Sequence, residues 1–180
     1  MSKYTVGVDI GGTNIKLGLV SPSGKIISQT RFETQSFASS PTKFIAALSE
    51  SIQKLIVKNK LPLKNIQGVG IGLPGLIDPV KGIVKDLTNI PGWKNVPLVK
   101  HLHAKLKLPV SIENDVNLIT LGEWKYGAGR GCQDLICMTL GTGVGGGLVF
   151  DNKLYRGPGF VAGEIGHMPM KEHGVACPCG

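Results

Sequence analysis

Two glycine clusters and two short acidic segments hold most of the chemistry this chain can offer. Asp9-Ile10-Gly11-Gly12-Thr13-Asn14 sets a carboxylate at the end of an apolar run beside a tight glycine turn. Far downstream, Thr139-Leu140-Gly141-Thr142-Gly143-Val144-Gly145-Gly146-Gly147 repeats the pattern of apolar run, glycines and β-rich run. A strand–glycine turn–strand unit points successive backbone N–H groups into a concave nest, and such nests bind anions. Two of them, brought together by a fold, could grip successive phosphates of one nucleotide. Thr13, Asn14 and the loop amides would then meet a terminal phosphate, with Asp9 orienting Mg²⁺ through water. Taken alone, the first cluster is equally an ordinary hairpin. It is not a Walker A loop, because no Gly-Lys-Ser/Thr follows a four-residue gap.

Gly141-x-Gly143-x-x-Gly146 formally matches the dinucleotide fingerprint. That fingerprint needs a helix after the glycines, whose N-terminus meets the pyrophosphate. Here Gly147-Leu148-Val149-Phe150-Asp151-Asn152 follows and reads as strand and turn, so the Rossmann reading fails and a phosphate hairpin remains.

Glu113-Asn114-Asp115-Val116-Asn117 falls at a strand-to-helix junction. A carboxylate there can accept a proton from a substrate hydroxyl, general-base help typically worth about 10²–10⁴ in rate. The competing reading is a plain helix cap. Glu164-Ile165-Gly166-His167 offers two polar groups three apart, on one face if the segment is helical. They could hold vicinal hydroxyls, or be a solvated Glu and a satisfied His. His167, Cys177 and Cys179 can supply three of the four ligands of tetrahedral zinc. A fourth is not evident, and His173 is a weak choice for it.

The elements that must position these groups alternate in type. Residues 3–10, 14–20 and 25–32 read as an antiparallel meander around the first glycine turn and Ser21-Pro22-Ser23-Gly24. Ser40-Pro41 opens a helix with Phe44, Ile45, Leu48, Ile52, Leu55 and Ile56 at helical spacing, ended by Pro62. Strands are expected at 66–73, 109–113, 135–140 (buried) and 147–150, and helices at 97–107 and from Asn114-Asp115 to about Tyr126. This is mixed α/β. The lobes expected are 1–116, with the first phosphate loop, and 117–180, with the second loop and part of a zinc motif.

At 180 residues with 42% hydrophobic and 18% charged content, the chain can bury a sizeable core, and global disorder is not expected. The net charge of +8 comes from lysines spread along helices, with no arginine-rich arm or nucleic-acid motif, so solvated helical faces are expected. No nucleic-acid or membrane partner is expected. Nothing resembles a signal peptide, and no apolar run approaches the ~20 residues of a membrane span. Four cysteines without framework spacing point to a reducing cytoplasm, with Cys132 and Cys137 as inert core thiols.

Together these residues resemble the ROK family of sugar kinases and sugar-responsive repressors, within the actin-like/hexokinase ATPase superfamily. The motifs, from Tyr4 to Gly180, are Asp9-Ile10-Gly11-Gly12-Thr13, Leu73-Pro74-Gly75, Asn89-Ile90-Pro91-Gly92-Trp93, Glu113-Asn114-Asp115, Leu140-Gly141-Thr142-Gly143-Val144-Gly145, Glu164-Ile165-Gly166-His167 and Cys177-Pro178-Cys179-Gly180. Any one is weak, but seven in order are specific. The resemblance implies an actin-like/ribonuclease H-like ATPase fold, with two α/β lobes around a cleft. It implies ATP and Mg²⁺ held by Asp9, Gly11, Gly12, Thr13, Asn14, Lys16, Gly141, Thr142, Gly143 and Val144. Asp115 becomes the catalytic base. Gly75, Asn89, Asn114, Asp115, Glu164 and His167 would bind the sugar, and His167, Cys177 and Cys179 a structural Zn²⁺.

Family members are longer, and their zinc motif continues past Gly180 to another cysteine and a further sugar-binding Glu, so the second lobe is expected to be truncated. The activity implied is ATP-dependent phosphorylation of a hexose at its 6-hydroxyl. Asn89-Ile90-Pro91-Gly92-Trp93-Lys94 favours glucose. N-acetylmannosamine, N-acetylglucosamine, fructose and allose kinases remain open, as does polyphosphate as donor. A homodimer is usual for the family. Two rivals are a sugar-sensing repressor module, for whose winged helix a first strand at about residue 3 leaves no room, and a degenerate sugar-binding module.

Overall fold

The computed structural model describes residues 3–34, 40–87, 92–141, 143–171 and 174. The chain divides into two compact units, Met1–Asp115 and Val116–Gly180.

The first unit opens with β1 (Tyr4–Ile10), β2 (Asn14–Val20) and β3 (Ile26–Glu33), an antiparallel meander as expected. Helix α1 (Pro41–Lys58) follows. Ser40 caps it by accepting the Lys43 amide at 3.4 Å, and Pro41 supplies a preset φ at the first helical position. Phe44, Ile45, Leu48, Ile52, Leu55 and Ile56 are all buried, whereas Lys43, Lys54, Val57 and Lys58 are exposed. The helix does not run to Pro62. Asn59 closes it by donating its side-chain amide to the Leu55 carbonyl at 2.7 Å, and Lys60 takes a positive φ of 55°.

Next come β4 (Ile66–Leu73), β5 (Leu76–Asp78), β6 (Ile83–Asp86), β7 (Lys94–Val96), α2 (Leu98–Leu106) and β8 (Val110–Asn114). β4 lies parallel to β1, and β8 parallel to β4, giving a five-stranded sheet of order β3-β2-β1-β4-β8. Parallel neighbours need long crossovers, which α1 and α2 supply. Alternation then sorts the side chains: Val6, Val8, Ile10, Ile15, Leu17, Leu19, Val69, Ile71, Leu73 and Ile112 enter one core with the buried faces of both helices. Asp9 and Lys16 fall on the opposite face. Strands β5, β6 and β7 form a separate antiparallel sheet that the sequence reading missed.

The second unit starts along α3 (Asp115–Tyr126) and continues with β9 (Leu135–Leu140), β10 (Val144–Phe150) and β11 (Lys153–Tyr155), an antiparallel sheet of order β11-β10-β9. A single 3₁₀ turn spans Ile165–His167. β10 begins three residues earlier than expected and carries all of Gly145, Gly146 and Gly147. β9 is not the buried strand the apolar run suggests: Ile136, Met138 and Leu140 are 65%, 58% and 77% exposed. Leu135, Cys137 and Thr139 alternate with them on the face that meets α3, and only that face is even partly covered by described residues. Cys132 is likewise exposed rather than a core thiol, because it lies in the turn before β9.

Candidate functional site

Strands β1, β4 and β8 are parallel neighbours, so their carboxyl ends lie along one edge of the sheet. Three of the expected groups leave from that edge: the Gly11–Asn14 loop after β1, Pro74-Gly75 after β4, and Asn114-Asp115 at the end of β8. The register pairs Asp9 with Gly72, and Leu73 with Asn114. Two strand spacings separate β1 from β8, about 10 Å. The carboxyl edge of a parallel sheet is where open α/β folds bind ligands.

At the first of these stations, Gly11 donates its amide to the Asn14 carbonyl at 3.0 Å, closing the turn. A β-carbon on Gly11 would press on that same carbonyl oxygen. Gly12 and Thr13 are exposed at the tip. Asp9 and Lys16 face each other across the β1–β2 ladder, with Nζ 3.6 Å from Oδ2, and both side chains are more than half exposed. That pair is well hydrated and adds little stability, so its charges remain available to a metal or an anion.

Thr34 is a member of this loop that the sequence reading missed. It is fully buried, donating its hydroxyl to the Gly11 carbonyl at 2.7 Å and its backbone N–H to the Thr13 carbonyl at 3.0 Å. No local pattern marks it, because the partner lies 23 residues away.

Gly75 has φ +93°, and a β-carbon there would overlap the Asp86 carbonyl oxygen. Only glycine lets the chain turn this tightly from β4 into β5 against β6. Asn114 receives the Glu113 carboxylate on its backbone N–H at 3.1 Å, with Glu113 buried. Asp115 follows as the first residue of α3, half-buried, where the helix dipole favours a negative charge.

In the second unit the glycine cluster splits by role. Gly141 and Gly143 form the turn itself, with the Gly141 amide donating to the Gly143 carbonyl at 3.0 Å and open space around both. Gly145, Gly146 and Gly147 belong instead to β10, where they allow close packing. Gly145 lies against Val116, and Gly147 against Thr120, both on α3. Four helical residues rise about 6 Å and two strand residues about 6.6 Å, so the two series stay in step. Gly146, on the other face, lies against Gly163 and Ile165.

Glu164 precedes the 3₁₀ turn and His167 ends it, so neither rides on an α-helix. His167 Nε2 lies 3.7 Å from Glu164 Oε2, and both side chains are about half exposed. Between them, Gly166 abuts the Val144 carbonyl. The structure therefore joins the polar pair to the end of the second glycine turn. Asn89, Thr142, Cys177 and Cys179, with His173, lie outside the described residues, and among the described residues no group of metal-ligating side chains is assembled.

A glycine hairpin opening a β3-β2-β1-β4-β8 sheet, a second one in the following unit, and a carboxylate at the β8 edge define an actin-like ATPase fold. The chain belongs to the ROK family, whose model matches residues 5–180. It is 39% identical over 176 residues to the glucokinase of Streptomyces coelicolor, a match covering 98% of this chain and 53% of that protein. It is 35% identical over 175 residues to the xylose repressor of Caldicellulosiruptor bescii, covering 97% of this chain and 43% of that one. Among solved structures, the ROK family glucokinase of Streptomyces griseus in complex with glucose and AMPPNP superposes with a TM-score of 0.82 at 37% identity, over 98% of this chain and 54% of that one. The chain spans about half the length of the relatives it matches.

Proposed function

We propose that the protein is an ATP-dependent hexose kinase that phosphorylates the 6-hydroxyl of glucose. The observation that carries this reading is the convergence of the first glycine loop, Gly75 and Asn114-Asp115 at one edge of the β1-β4-β8 sheet. Phosphoryl transfer depends on positioning and on stabilising charge more than on covalent help. An exposed glycine turn supplies N–H donors to phosphate oxygens, and an aspartate two strands away supplies a base.

In this reading Asp115 takes the proton from the attacking sugar hydroxyl. Gly75, Asn89, Asn114, Glu164 and His167 hold the remaining hydroxyls. Asp9, Gly11, Gly12, Thr13, Asn14 and Lys16 bind one end of the triphosphate, and Gly141, Thr142, Gly143 and Val144 the other. Asp9 is the exposed carboxylate suited to orient hydrated Mg²⁺, which neutralises charge on the phosphates when bound. The donor set of His167, Cys177 and Cys179 suits Zn²⁺ chemically, and His167 is surface-accessible with only a weak carboxylate contact. Such a metal would stiffen the turn bearing Glu164.

A second reading is favoured by the 35% identity to a xylose repressor: a sugar-sensing module without turnover. The two separate in a coupled assay of the intact protein with Mg·ATP and a panel of hexoses. ADP release dependent on glucose supports the kinase. Tight sugar binding with no ADP release overturns it in favour of the sensor.

A further inference from the structure

The first glycine loop carries two adjacent glycines and an exposed tip, so its own residues do little to fix which way its amides point. Thr34 does so from outside. Its hydroxyl holds the Gly11 carbonyl at 2.7 Å and its N–H the Thr13 carbonyl at 3.0 Å, from a fully buried position. In a trans peptide the C=O and the following N–H point in opposite directions, and no cis bond occurs among the described residues. With the Gly11 and Thr13 carbonyls drawn toward Thr34, the amides of Gly12 and Asn14 are turned to the far side of the loop. The Gly11 amide is already engaged by Asn14. Gly12 and Asn14 are therefore the donors that Thr34 orients outward.

We propose that Thr34 is a positioning residue for anion binding: it presents the Gly12 and Asn14 amides to the phosphate tail of a nucleoside triphosphate. It touches no substrate and acts only through the two carbonyls. The inference rests on the kinase reading above and adds to it the residue that orients the loop. A buried hydroxyl with a single carbonyl partner is costly to lose, because the carbonyl is left without its donor.

The test compares Thr34→Val, which keeps the shape and the backbone bond, with Thr34→Ser, which keeps the hydroxyl. Affinities for Mg·ATP and for glucose are measured separately by calorimetry on the intact protein. Thr34→Val should bind Mg·ATP about three- to tenfold more weakly, the range for one lost hydrogen bond, with glucose affinity unchanged. Thr34→Ser should restore wild-type affinity. On titration with inorganic tripolyphosphate, the Gly12 and Asn14 amide resonances should shift in the wild type and in Thr34→Ser, and less in Thr34→Val. Wild-type Mg·ATP affinity in Thr34→Val overturns the proposal. So does a parallel loss of glucose and nucleotide affinity, which is the mark of a general structural role. A wild-type protein that binds glucose but neither Mg·ATP nor tripolyphosphate removes the kinase reading itself, and the inference with it.

Discussion

Gly166 stands so close to the carbonyl oxygen of Val144 that a β-carbon would overlap it. The turn bearing Glu164 and His167 is thereby seated on the residue that ends the second glycine turn. Gly166→Ala must separate the two. Such overpacking typically costs about 1–3 kcal/mol, and the shift should displace Glu164 and His167 together. The expected result is a lower urea midpoint and weaker sugar binding. Gly141→Ala is the contrast, since nothing lies within 4 Å of its added carbon and its φ is not positive. Its urea midpoint should match the wild type. Equal midpoints for both variants would remove the seating argument.

Asp115 heads α3, half-buried, directly after β8. Asp115→Asn preserves the size and polarity of the side chain but removes its basicity. Glucose binding should survive, while turnover falls by roughly 10²-fold or more, the usual worth of a general base. Steady-state rates and a separate binding titration check this. Near-normal turnover would take Asp115 out of the mechanism.

Gly147 has no room for a side chain because Thr120 occupies the space, and Thr120 is itself fully buried with its hydroxyl on the Val116 carbonyl at 2.8 Å. Gly147→Ala should destabilise by about 1–3 kcal/mol. Thr120→Ala alone should also destabilise, through lost burial. Combined, the two should cost less than their sum, because the new methyl fills the vacated space; contacting residues commonly couple by about 0.5–3 kcal/mol. Denaturant melts of the four proteins measure the coupling. Strict additivity would mean that helix and strand are not in contact there.

These contacts mark where sequence reasoning stops. The α1 stripe from Phe44 to Ile56 was legible because a 3.6-residue period has one structural meaning, and the meander was legible from alternation around strong turns. The glycines at 145–147 were not. A glycine that leaves its amides open to a ligand and one that admits a packed neighbour look the same in sequence; Val116 and Thr120 decide for Gly145 and Gly147, and Gly163 and Ile165 for Gly146. Strands β5, β6 and β7, three or four residues each, are too short to show a period, although Asp78 does announce their turn by accepting the Lys81 amide at 2.9 Å. Glu164 and His167 lie 3.7 Å apart on a 3₁₀ turn too short for any sequence pattern to indicate, not on the helix that their spacing left open. Thr34 shows the same limit at long range.

The zinc proposal rests on His167 at the end of that turn and on Cys177 and Cys179 ten and twelve residues further along. His167 Nε2 faces Glu164 at 3.7 Å, so the other ring nitrogen is the one left to a metal. A metal-bound imidazole commonly has its second nitrogen held by a carboxylate or carbonyl. Glu164 is placed to be that partner, and through it the metal would act on sugar binding rather than on nucleotide binding. Metal analysis of the intact protein should find about one zinc per chain, lost in Cys177→Ser. Chelation should weaken glucose binding while leaving Mg·ATP affinity near its starting value. Metal-free protein with undiminished glucose affinity would mean that the two thiols serve some other purpose and that Glu164 is held by the turn alone.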